Sequence, residues 1–140
     1  MSQQMHTLTV PCNGRGFYNI TPEIRQWVRE AGIRTGLLNL FVQHTSCSLI
    51  IQENADPDVL HDMESFMAGL VADGDPGYRH RDEGPDDMSA HIRMALTSVS
   101  LNIPVQNAAP ALGMWQAVYI YEHRCQPLTR RVIMHVSGDA

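Results

Sequence analysis

The chain has 140 residues, is 44% hydrophobic and 18% charged, and carries a formal net charge of -5. That is the size of one compact domain able to bury a core without disulfide or metal staples, so a single domain over residues 1–140 is expected. Eleven of the fifteen Asp and Glu residues fall between Glu53 and Asp87, where the only basic residues are Arg79 and Arg81. Such a field repels nucleic acid and attracts cations.

There is no lysine, which excludes a Schiff-base mechanism and a phosphate-loop lysine; all ten positive charges are arginines, whose planar fork suits phosphate. The start, MSQQMHTLTV, lacks a charged segment followed by an apolar run, and eighteen consecutive apolar residues occur nowhere. A cytoplasmic protein with no membrane or nucleic-acid partner is expected. Cys12, Cys47 and Cys125 form no CxxC pair and read as small buried residues, not as a disulfide framework.

In chain order, strands are predicted at 5–12, 36–43, 48–52, 101–105, 115–123 and 129–136, from runs of Val, Ile, Leu and Tyr between Gly, Pro and Asn turns. A first helix opens at Thr21-Pro22-Glu23, turns Ile24, Trp27, Val28 and Ala31 inward and stops at Gly32. A second opens at Asp56-Pro57-Asp58 and buries Val59, Met63, Phe66, Met67 and Leu70, leaving His61 solvated. A third starts about Ser89, carries Ile92, Ala95, Leu96 and Val99 inward and ends before Asn102. Strands interrupted by three helices without regular alternation give an α+β class with a largely antiparallel sheet.

The densest chemistry lies in HRDEGPDDMSAH, which puts His80 and His91 and the carboxylates of Asp82, Glu83, Asp86 and Asp87 around a Gly84-Pro85 breaker. A packed core would have to pair or neutralise each carboxylate, whereas a divalent cation takes both imidazole nitrogen and carboxylate oxygen. A solvated acidic loop is the alternative. Upstream, His44, Thr45, Ser46 and Ser48 crowd a bend between two apolar strands and offer an imidazole, hydroxyls and backbone N–H groups to an anion. His44 and Ser46 are two apart, but no nucleophile elbow surrounds them, which weighs against a hydrolytic triad. Trp115 reads as a core anchor with Gln116 beside it as a substrate donor, Glu122 and His123 as surface residues, and His6 and His135 as structural histidines.

Taken together, HTSCSLIIQENADPDV, HRDEGPDDMSAHIR and IPV with ALGMWQAVYIYEHR resemble the YjbQ-like family of secondary thiamine-phosphate synthases, in order and spacing over nearly the whole chain. The resemblance implies an α+β sandwich-like domain forming a homotrimer, with a metal and anion site near the subunit boundary. On this chain those positions are His44, Thr45, Ser46, Glu53, Asp56, His80, Glu83, Asp87, His91 and Gln116. The implied reaction joins a hydroxymethylpyrimidine diphosphate to a thiazole phosphate and expels pyrophosphate, so a phosphorylated small-molecule substrate and a divalent ion, zinc or magnesium, are expected. His44, His80 and His91 would hold the metal, Thr45, Ser46 and Arg93 would meet phosphate oxygens, and Glu53, Asp87 and Gln116 would serve catalysis. A metal-dependent hydrolase of a small phosphorylated metabolite and a non-catalytic metal-binding trimer are the rivals.

Overall fold

A computed structural model describes residues 1–140. Strands β1 (Ser2–Asn13), β8 (Pro127–Asp139), β3 (Thr35–Val42), β5 (Ser100–Gln106) and β6 (Ala109–Pro110) form one antiparallel sheet in that order. Strands β2 (Gly16–Asn19), β7 (Gln116–Glu122) and β4 (Cys47–Glu53) form a second, also antiparallel. With α1 (Thr21–Ala31), α2 (Pro57–Leu70) and α3 (Asp87–Leu96), this is the expected α+β architecture. No helix is long and apolar enough to cross a membrane.

The two sheets share one core. Leu38, Leu40 and Val42 of β3 and Val132, Met134 and Val136 of β8 alternate inward, and they meet Leu49, Val118 and Ile120 of the smaller sheet. Ile24 and Val28 of α1 seal one end, and Gly32 in the left-handed conformation stops that helix as predicted. Thr21 is not its cap. Its hydroxyl accepts the Val118 N–H at 2.8 Å, stitching the helix to β7, while Asn19 Oδ1 accepts the Thr21 N–H at 2.9 Å. Trp27 is half-buried and stacks with the exposed His6. His135 meets Gln3 Oε1 at 3.0 Å. Cys12 and Cys47 are buried, which pushes both thiols up to about 12, whereas Cys125 is exposed.

Four expectations are corrected. Helix α2 begins where predicted, with Asp56 accepting the Asp58 N–H, but none of its residues is fully buried and Phe66 stays 68% exposed. Helix α3 begins at Asp87, two residues early, and buries Asp87, Ser89, Ala90 and Arg93, while Ile92 is half-buried and Ala95 and Leu96 are exposed. Strand β7 is the middle strand of a sheet covered by the core on one side and by α2 and α3 on the other. Glu122 and His123 are therefore fully buried, where broken alternation had suggested surface. Trp115, the expected anchor, is 58% exposed in the turn before β7. The short strands β2 and β6 had no signal in the sequence.

Candidate metal centre

Starting α3 at Asp87 has a direct chemical consequence: Asp87 and His91 lie one turn apart on the same face. His91 Nε2 is 3.1 Å from Asp87 Oδ2, and His80 Nε2, arriving from the preceding loop, is 2.7 Å from the same oxygen. Glu83 Oε2 is 3.1 Å from His80 Nε2. One ligand atom from each of His80, Glu83, Asp87 and His91 thus lies within 4.8 Å of the others. The loop is held in place by Gly84, at φ 106°, and by the Gly74 N–H donating to the Pro85 carbonyl at 2.8 Å.

The hydrogen bonds around the cluster set which nitrogen of His91 faces it. His91 Nδ1 lies 2.8 Å from the Thr45 carbonyl, which can only accept, so Nδ1 carries the proton. In the neutral ring Nε2 then presents a lone pair to a carboxylate oxygen. That contact is attractive only with a cation between them, either a second proton on the ring or a metal ion. A ring N–H fixed on a main-chain carbonyl with the other nitrogen facing the site is the usual arrangement of a metal-ligating histidine. Ligands around tetrahedral zinc stand about 3.3 Å apart at bond lengths near 2.0–2.1 Å, so an ion fits here with side-chain shifts under about 1 Å.

Arg124 supports the carboxylates from below. Its Nη1 donates to Asp87 Oδ1 at 2.7 Å, its Nε to Asp86 Oδ2 at 3.2 Å and its Nη2 to the Glu83 carbonyl at 2.9 Å. Asp87 Oδ2 is thereby left for the two imidazoles. Burial works to raise the Asp87 pKa, yet hydrogen bonding from His80 and the nearby Arg124 hold it below the ordinary carboxylate range. Hydrogen bonding to Asp87 raises that of His80. Arg124→Met is expected to weaken metal binding about 10- to 100-fold, as loss of an outer partner does, and calorimetric zinc titration reads it.

The other sequence-predicted residues go elsewhere. His44 Nε2 accepts the Arg131 N–H at 2.9 Å, where β8 runs on past its last pair with β3, and so lies outside the cluster; burial and the adjacent Arg130 and Arg131 lower its pKa. Of the three imidazoles expected at the metal, the cluster within this chain brings together His80 and His91. Ser46 Oγ accepts from Arg130 Nη2 at 2.9 Å, and Thr45 offers the cluster its carbonyl and lines an open cleft of about 540 Å³ with His44 and Met94. His44 and Ser46 do not bond each other. Arg93 cannot meet phosphate in this fold, because it shares the inward face of α3 and donates to Glu64 at 2.7 and 3.2 Å, fully buried. Glu53 and Gln116 pair across β4 and β7 at the end of the small sheet opposite Cys47 and Glu122. There Glu53 Oε2 accepts the Asp56 N–H and Gln116 Oε1 the Gly113 N–H, both turn-stabilising contacts.

Sequence reasoning gave Arg124 no role and placed Asp86 only within the acidic segment. The signal available was imbalance: four carboxylates in one segment require a cationic partner, and the arginine two residues past the end of β7 was free to supply it. It also missed His123, whose Nε2 lies 2.9 Å from Ser48 Oγ. With both residues buried and His123 Nδ1 unpartnered, this pair lacks the acid and the access of a triad. Burial, helped by Arg93, Arg15 and Arg130, lowers the His123 pKa to about 3. An unfolded histidine takes its proton near pH 6.5, so between pH 6.5 and 3 the unfolded state binds more protons and stability falls as pH falls. Denaturation at stepped pH should show this slope, up to about 1.4 kcal/mol per pH unit, diminished in His123→Gln.

An α+β domain of two facing antiparallel sheets with a His/carboxylate cluster at one helix start is the class these features define. Residues 6–139 match the family model described as UPF0047 protein YjbQ-like. The chain is 50% identical to a UPF0047 protein of Synechocystis, covering 98% of this chain and 93% of that protein, and 41% identical to the UPF0047 protein YjbQ of Escherichia coli, at 95% and 96%. A conserved hypothetical protein from Thermus thermophilus superposes with a TM-score of 0.82 at 36% identity over 92% of this chain and 97% of its own. An uncharacterized YjbQ/UPF0047 family protein from Clostridium acetobutylicum superposes at 0.83 with 30% identity, covering 96% and 99%. The chain belongs to the YjbQ-like UPF0047 family.

Proposed function

We propose that His80, Glu83, Asp87 and His91 bind one divalent metal ion and that the bound ion serves chemistry on a small phosphorylated molecule. The observation that carries the first half is the convergence of one ligand atom from each of these four residues within 4.8 Å, with His91 Nδ1 held on the Thr45 carbonyl so that Nε2 faces the site. Two imidazoles with two carboxylates favour zinc over magnesium, which prefers an all-oxygen shell. When bound, the ion would supply positive charge against the negative charge that develops on a phosphate-type leaving group.

Within that reading the thiamine-phosphate reaction rests on the family resemblance. The carbon–oxygen bond of the pyrimidine diphosphate breaks, pyrophosphate leaves with the electron pair, and the thiazole nitrogen forms the new bond to the methylene carbon. The chain's own part would be to hold the ion and to orient the substrate, with the open cleft lined by His44, Thr45, Ser46 and Arg130 as a binding face. Assay of the zinc-loaded protein separates the readings. Release of pyrophosphate with formation of thiamine phosphate supports the synthase, release of inorganic phosphate from phosphorylated metabolites the hydrolase, and tight metal binding without turnover the non-catalytic role.

A homotrimer belongs to the same proposal. The outer face of the large sheet leaves Leu37 and Phe41 exposed, and α2 leaves Phe66 and Leu70 uncovered, apolar side chains that a subunit contact would bury. Light scattering on the eluting protein should give three times the 15.7 kDa chain mass. A monomer would refute the assembly.

A further inference from the structure

A second depression, of about 220 Å³, is lined by Asp75, Tyr78, His80 and Arg81 with Gly74, Gly84 and Pro85. Its ring wall is fixed, since the Tyr78 hydroxyl donates to the Ala72 carbonyl at 2.9 Å. Its cation is fixed too. Arg81 Nε donates to the Tyr78 carbonyl at 2.6 Å and Nη2 to the Pro76 carbonyl at 2.5 Å. Arg15, Arg93, Arg124 and Arg130 each pair with a carboxylate, whereas Arg81, like Arg25, Arg29, Arg34, Arg79 and Arg131, pairs with none. Arg81 sits beside Asp82 and Glu83 in the most acidic stretch of the chain and pairs with neither, held instead by neutral carbonyls. A guanidinium has five N–H donors, so three remain for a ligand.

We propose that this cavity seats the oxyanion group, phosphoryl or carboxylate, of a small molecule whose other end reaches the His80–His91 cluster, with Arg81 as its counter-ion. The volume is below the roughly 300 Å³ at which whole-ligand pockets begin, which suits one end of a molecule. His80 forms a wall of the cavity and a corner of the cluster, so a group on Arg81 lies next to the bound ion. The proposal extends the metal reading above and is separable from it.

The test is calorimetric titration of the zinc-loaded protein with inorganic phosphate, and with acetate as the carboxylate probe, for wild type, Arg81→Gln and Arg81→Lys, with zinc content measured in parallel. Phosphate or acetate is expected to bind wild type. Arg81→Gln should weaken that probe about tenfold or more at unchanged zinc content, as loss of a charged hydrogen-bonding partner does, and Arg81→Lys by a smaller factor. The stronger probe identifies the group. Unchanged affinity in Arg81→Gln, or zinc-loaded wild type that binds neither probe, overturns the proposal. If wild type takes up no zinc but an anion still binds in an Arg81-dependent way, the cavity assignment stands and the metal reading falls. Should Arg81→Gln disturb the turn enough to lose zinc, Arg81→Lys decides: affinity equal to wild type counts against the proposal.

Discussion

Glu122→Ala is expected to lower folding stability by about 3–5 kcal/mol, the range found when one partner of a buried ion pair is removed. The Glu122 side chain is fully buried and accepts from Arg130 at 2.5 and 2.7 Å and from the Arg124 N–H at 3.2 Å. Without it the Arg130 guanidinium stays inside with only Ser46 as partner, and the register of β4 against β7 at Cys47 and Glu122 loses its polar lock. Asp62→Ala is the control. Its contact with His61 is solvent-exposed on both sides, so its effect should stay within about 0.5 kcal/mol. Urea denaturation at one protein concentration measures both, and a Glu122→Ala loss below about 1 kcal/mol would contradict the account of a buried charge pair.

Asp87→Asn is expected to abolish zinc binding while the protein still folds. Both imidazoles converge on Oδ2 of Asp87, and the amide that replaces it has no negative charge and points either an oxygen or an N–H at them. The same change removes the charge facing Arg124 Nη1, at a cost of about 1–3 kcal/mol, partly offset because Arg124 keeps Asp86 and the Glu83 carbonyl. Zinc titration and denaturation of the same preparations separate the two effects. Wild-type zinc affinity in Asp87→Asn would rule out Asp87 as a ligand.

The elements that could be read from sequence were those whose caps and alternation are local. Gly32 stops α1 and Asp56 opens α2 because a left-handed C-cap and an Asx cap are chemistry of the residue itself. The alternating strands β3 and β8 follow because one face is core and the other open. Glu122 and His123 misled because β7 is covered on both faces, a fact of tertiary packing that no window of β7 contains. The start of α3 misled because Ser89 looks like a cap, whereas its hydroxyl donates to Asp73 across the fold.

The candidate site divides along the same line. His80, Glu83, Asp87 and His91 are close in sequence and came together as one loop and one helical turn. His44, Glu53, Arg93 and Gln116 each meet a different partner in this fold. The Thr45 carbonyl, which sets the His91 proton, is a main-chain atom and leaves no mark in the residue pattern.

The measurement that bears most directly on the metal centre is elemental analysis of purified wild type, His80→Ala, His91→Ala and His44→Ala after dialysis against mixed divalent ions. One metal per chain in wild type and in His44→Ala, with loss in His80→Ala and His91→Ala, is the predicted result. Absence of metal from every protein, or equal content in all four, would contradict it.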